Sequence, residues 1–211
     1  MADRIKEIKV AWQEKLQTRS FCSRFLFSLI LLAFVLTWFA RFLDCNEENT
    51  GFSFTDPFLK LFNPLDVTWI TFGLIYAALV IALVSLSFHP ENFLLAIQSY
   101  TFVALLRLIT IYFLPLDAPV TIIPLKDPFI EFFGGGRTLY RDLFFSGHTS
   151  TMFLFSLTAT SKKLKYIFLV CTVLVAGCVL IQHVHYTIDV IAAPFFAYTS
   201  YRIALLINNK G

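Results

Sequence analysis

Charge is the scarce commodity in this 211-residue chain. Lysine, arginine, aspartate and glutamate together make up 15% of it, against 57% hydrophobic residues, with phenylalanine alone supplying 25 positions. A water-soluble domain carries about a quarter charged residues. That deficit excludes a soluble globular fold and leaves an integral membrane protein. Cysteine is also sparse. Cys22, Cys45, Cys171 and Cys178 show no metal-ligand spacing, and three of them lie in or beside apolar runs where a thiol acts as a small hydrophobe. Neither a disulfide framework nor a thiolate metal centre is expected. No internal repeat or low-complexity tract is present, and the first apolar run is not followed by an Ala-x-Ala-like cleavage site, so a cleaved signal peptide is not expected.

What the chain does have is long apolar runs. A helix needs about 20 apolar residues to cross a bilayer, and such runs recur six times: Phe25 to Leu43, Val67 to Phe88, Phe93 to Leu114, Leu143 to Thr160, Tyr166 to Gln182 and Val184 to Ile207. The expected architecture is all-α, a six-helix transmembrane domain over 25–211. Before it, residues 1–24 form a charged amphipathic segment with Ile5, Ile8, Trp12 and Leu16 at helical spacing, suited to lying on the membrane. The connections 44–66 and 115–142 contain proline, glycine and acidic residues and are too polar to span. Asp44, Glu47, Glu48 and Asp56 read there as solvated charges.

Six spans put both termini on one side. That side collects Arg4, Lys6, Lys9, Lys15, Arg19, Arg24, Lys162, Lys163, Lys165, Arg202 and Lys210; the other collects Lys60, Lys126, Arg137 and Arg141. The positive-inside rule then predicts cytoplasmic termini. On this topology the expensive residues inside the runs converge. His148 enters span four, His185 and Asp189 open span six, and Arg107 lies about 12 Å below the end of span three at ~1.5 Å per residue. All face the non-cytoplasmic end, and ionisable groups in lipid are by default a functional site.

Their chemistry is legible. His185 and Asp189 are four apart, so the carboxylate can hold one imidazole nitrogen and leave the other as nucleophile or base. A polar staple between helices is the plainer alternative. Ser146-Gly147-His148-Thr149 lies where a loop enters a helix, and free amides there, with the Ser146 and Thr149 hydroxyls, suit an anion, Gly147 letting it approach. Ser146 as a simple helix cap is the plainer alternative. His148 can protonate a leaving oxygen. Arg107 needs an anion, either substrate or an acid such as Asp189; Thr110 lies one turn further out. Asp127, Glu131 and Asp142 are candidates to assist His148, whereas His183 reads as interfacial.

These residues carry a resemblance. Asp142-x-x-x-Ser146-Gly147-His148-Thr149 with His185-Tyr186-Thr187-Ile188-Asp189-Val190 resembles the paired motifs of the sphingomyelin synthase family, within the type 2 phosphatidic acid phosphatase superfamily. Arg107-x-x-Thr110-x-x-x-Leu114-Pro115 resembles a third family motif, and Gly134-Gly135-Gly136 a glycine cluster. The likeness covers about residues 55–205. It implies six spans, a non-cytoplasmic site, no metal and no cofactor. It implies transfer of a phospho-head-group from a glycerophospholipid to a lipid alcohol such as ceramide or a diacylglycerol-like acceptor, or to water. His148, His185 and Asp189 would be the catalytic triad, with Ser146, Gly147, Thr149, Arg107 and Tyr186 around the phosphate and Asp142 and Thr110 in support. Tyr140-Arg141 stands where the family usually has Cys-Gly, which leaves head group and acceptor open. Phosphatases of the superfamily usually carry Pro before Ser-Gly-His and Arg before the second His, where this chain has Phe145 and residues such as Gln182 and His183. Lipid phosphate monoesterase and non-catalytic lipid transporter are the rival readings. Expected partners are the two lipids and the bilayer, with no nucleic acid; a homo-oligomer is left open.

Overall fold

The computed structural model describes residues 2–127 and 139–209. Its described residues form seven α-helices: α1 (Ala2–Leu16), α2 (Arg19–Asn46), α3 (Thr68–Ser87), α4 (Pro90–Phe113), α5 (Gly147–Thr158), α6 (Lys162–Ile181) and α7 (Thr187–Asn208), with one 3-10 turn at Leu59–Leu61. Local chemistry sets most starts. Asp66 accepts the Thr68 N–H (3.0 Å) at α3, Pro90 opens α4, and Ser161 accepts the Leu164 N–H (3.2 Å) at α6.

Five helices, α2, α3, α4, α6 and α7, are long and apolar enough to cross a membrane. In none of them is more than 33% of the most apolar window buried. The rest faces outward as leucine, valine, isoleucine and phenylalanine, a surface that hydrocarbon tolerates and water does not.

The fourth expected span differs. Instead of a helix over Leu143 to Thr160, α5 has 12 residues, about 18 Å of helix. Leu143 and Phe145 are apolar because they are fully buried in non-helical chain, not because they face lipid. Span one also begins early, at Arg19, so the expected division at residue 24 falls inside α2. There Arg24 Nε bonds the Ser20 carbonyl within the helix (3.3 Å).

Helix α5 is the hub, packed against α3, α4, α6 and α7; α4 also packs on α2 and α7. Ala78, Met152, Phe168, Val175, Val179 and Val190 form the core joining α3, α5, α6 and α7. One end of the bundle gathers α1, the α3–α4 turn, the α5–α6 turn and the end of α7. Trp12 Nε1 donates to the Ser87 carbonyl (2.8 Å), Lys15 pairs with Glu91, Ser85 bonds Thr160 (2.6 Å), and Gln98 joins Ser28 (3.0 Å) and Asn208 (2.5 Å). Thus α1 is docked on the bundle as well as amphipathic.

The opposite end is closed by the two long connections. Phe52 N–H donates to Pro115 O and Asp117 N–H to Phe52 O, both at 2.9 Å; Leu65 and Ile123 N–H groups donate to the carbonyls of Ile181 and Gln182. Two of the acids expected to be solvated are built into this cap. Glu47 Oε1 accepts the N–H groups of Tyr140 (2.9 Å) and Arg141 (2.8 Å). Asp56, only 8% exposed, accepts those of Phe58 (2.9 Å) and Thr187 (2.6 Å). Backbone amides at folded-chain turns need an acceptor, and these carboxylates supply it.

Candidate functional site

The site lies at this capped end, where α5 and α7 begin side by side. Ser146 is the N-cap of α5, its Oγ accepting the Thr149 N–H (3.3 Å) and the Thr149 hydroxyl (3.1 Å). The Ser146 N–H itself donates to the Asp189 carbonyl at 3.1 Å. One backbone bond therefore fastens the first histidine stretch to the second, although 43 positions of sequence separate Ser146 from Asp189 (189 − 146).

At α7, Asp189 Oδ2 accepts the Tyr186 N–H (3.2 Å) and faces His185 Nδ1 at 3.4 Å. Both His185 and Asp189 are buried. The pair was expected on one helix face. In the structure His185 precedes the first helical residue, Thr187, and the contact folds back across the helix start. The carboxylate therefore does two jobs, satisfying an open amide at the helix start and orienting an imidazole.

His148 is the second residue of α5, its ring edge-on to Phe72 at 6.0 Å. Arg107, from α4, pairs with Asp142 and lies 5.2 Å over the Phe39 ring. Of the anions expected for Arg107, the structure supplies Asp142. The guanidinium is pressed against Gly147, where an added Cβ would overlap Nη1 and come within 2.5 Å of Cζ. A side chain at this position would have to displace the guanidinium, and glycine lets it approach.

Not every expected phosphate contact is free to serve as one. Ser146 and Thr149 are buried and bonded to each other. The Tyr186 hydroxyl donates to the Asp117 carbonyl (2.9 Å) while its ring stacks on Phe54 at 4.0 Å. Thr110 donates to the Phe144 carbonyl (3.0 Å), tying α4 to the chain before Ser146. His183, expected at the interface, is 1% exposed in the connection before α7, with Nδ1 2.6 Å from Thr121 Oγ1. Asp127 bonds Tyr76. Glu131 and the Gly134-Gly135-Gly136 run lie outside the described residues.

Among the described residues, the buried side-chain atoms without a hydrogen-bond partner include His148 Nδ1, Arg107 Nε and Asp189 Oδ1. Orphaned buried groups are rare and expensive, and their gathering in one place suits a polar ligand. Among the described residues no group of three His, Cys, Asp or Glu side chains is arranged to hold a metal ion.

Below the polar cluster lies a cavity of about 500 Å³ between α2, α3, α4 and α5. Arg107, Asp142, Gly147 and His148 form its polar head; the remaining wall is almost wholly apolar. His185 and Asp189 do not line it. Tyr100, also on the wall, escaped the sequence reading. Its position seven residues before Arg107, on the same helix face, was the available signal.

No curated protein and no solved structure matches the chain. Residues 141–205 match the family model described as PAP2 superfamily C-terminal, a segment that takes in α5, α6, most of α7 and both histidine stretches. Over that segment the chain is similar to the type 2 phosphatidic acid phosphatase superfamily, and the similarity supports an enzyme of lipid phosphate chemistry set among membrane-spanning helices.

Proposed function

We propose that the chain moves a phospho-head-group from a glycerophospholipid to a lipid alcohol, or to water, as the sphingomyelin synthase family does. The supporting observation is the Ser146–Asp189 backbone bond, which fastens the start of α5, whose His148 lines the head of an apolar cavity, to the His185–Asp189 pair. His185, held by Asp189, attacks phosphorus; the bond from phosphorus to the diacylglycerol oxygen breaks, and His148 delivers the proton to that oxygen. An acceptor hydroxyl, losing its proton to His148, then attacks the phosphohistidine and frees His185. The amides at the start of α5 and the Arg107 guanidinium stabilise the charge at phosphorus.

Charge also favours a diester. Arg107 is the one cation among the described wall residues and is already paired with Asp142. A monoanionic phosphodiester suits that balance better than a nearly dianionic monoester. The family match supports the second reading, a lipid phosphate phosphatase.

Helix electrostatics support the proposed membrane orientation. Lys162, Lys163 and Lys165 occupy the first turn of α6, the end where the helix dipole disfavours cations. Their placement gains nothing locally, and it accords with an anionic cytoplasmic leaflet beside them. The termini are then cytoplasmic and the site non-cytoplasmic.

The deciding assay incubates the purified protein with phosphatidylcholine, phosphatidylethanolamine or phosphatidic acid, with and without ceramide. Diacylglycerol release from a diester supports transfer, and phosphate release from phosphatidic acid alone supports the phosphatase. His148→Ala and His185→Ala should each lower turnover about 10²–10⁴-fold. Lipid movement without any product, indifferent to His148→Ala, would leave only a transporter.

A further inference from the structure

The cavity has a floor as well as a head. Its lowest wall residues are Leu86 at the end of α3 and Phe93 in the first turn of α4. From Arg107 to Phe93 the wall follows α4 for 14 residues (107 − 93), about 21 Å. Every side chain between the polar head and that floor is apolar apart from Tyr100 and Thr151, whose hydroxyl donates to the Gly147 carbonyl (2.7 Å). Phe93 does not stand alone. From outside the cavity, Trp12 of α1 packs edge-on against it with ring centroids 5.7 Å apart, and packs likewise on Phe25 of α2 at 5.1 Å. The indole is held in place by its own bond to the Ser87 carbonyl at the α3–α4 turn (2.8 Å).

We infer that the cavity takes one acyl chain of the lipid, and that Trp12, acting through Phe93, sets how long that chain can be. The inference rests on the proposed reading that a phospholipid presents its phosphate at the His148 end. An elongated, almost wholly apolar cavity with a polar head fits an alkyl chain better than a compact polar ligand. Its length leaves one variable, the foot. Since α1 is braced there by the indole and by the Lys15–Glu91 pair, the amphipathic segment acts as a positioning element for specificity. A pocket gives about 10-fold or more discrimination per methylene when its end is closed.

Two measurements test this on the full chain in nanodiscs. The first uses phosphatidylcholine carrying a diazirine at the terminal carbon of one acyl chain, with the labelled peptides mapped by mass spectrometry. Label on Leu86 or Phe93 supports the cavity assignment; label confined to outward residues such as Val80 and Val84 overturns it. The second compares kcat/KM for diester substrates of increasing chain length. In Trp12→Ala and Phe93→Ala the preference should move to longer chains by about tenfold. Phe93→Ala enlarges the foot without touching the Trp12–Ser87 bond, so it decides the matter if Trp12→Ala does not fold. A preference unmoved in both variants overturns the ruler while leaving the proposed function standing. Label in the cavity with no turnover of any diester sinks that function and leaves the chain-binding slot.

Discussion

Gly147 shows how much one missing methyl can carry. The Arg107 guanidinium occupies the space that a Cβ would need, so Gly147→Ala has to push the arginine off Asp142. We expect that variant to lose at least tenfold in turnover while remaining folded, checked by activity beside a thermal melt. Asp56 is the residue whose pH dependence can be worked out. Burial acts to raise its pKa, but the N–H groups of Thr187, Phe58 and Leu59 outweigh this and hold the carboxyl below its ordinary value. A carboxylate with a depressed folded pKa adds stability that is fully present above its unfolded value of about 3.9 and disappears as pH falls through the folded one. Asp56→Asn should therefore melt lower than the parent by about 1–3 kcal/mol at neutral pH. The gap should close at strongly acidic pH; a gap constant with pH would contradict the assignment.

Among the elements, legibility divides by where an apolar residue goes. Four of the five long apolar helices were readable to within about four residues, while the start of α2 was missed by six (25 − 19), because lipid-facing helices are apolar over most of their surface but their polar ends are not. The fourth was overdrawn, since Leu143, Phe144 and Phe145 are as hydrophobic as any lipid-facing triplet yet pack in non-helical chain under the cap. Hydropathy records burial without saying against what. The Ser146 cap signal, which did mark the true start of α5, was local and therefore visible. Partners distant in sequence were not: nothing near Asp56 announces Thr187, and nothing near Glu47 announces Tyr140. The same holds for the polar staple at the other end, where Gln98 links α2 through Ser28 and α7 through Asn208. Hydrogen bonds between membrane helices are worth about 0.6–1.7 kcal/mol. Gln98→Leu should lower unfolding stability by about that much in a detergent titration and leave head-group selectivity untouched.

For the molecule as a whole, the histidine stretches were legible as a pair because their chemistry demands each other, while the cavity was invisible until four helices stood around it. The proposed orientation has a direct check in two exposed thiols. Cys22 lies near the start of α2 and Cys45 near its end, at opposite ends of the bundle. A membrane-impermeant maleimide applied to intact cells should modify Cys45 and spare Cys22; the reverse pattern would invert the topology. The brevity of α5 carries the last implication. On the proposed topology, a helix of about 18 Å in a hydrocarbon layer of about 30 Å begins well beneath the membrane surface, and irregular chain survives at such depth only where protein encloses it. Chemistry sunk to that level can be reached by a lipid drifting sideways with its tails still in oil. The protein need never lift its substrate from the bilayer, and is spared about 0.8 kcal/mol for each methylene that extraction would wet.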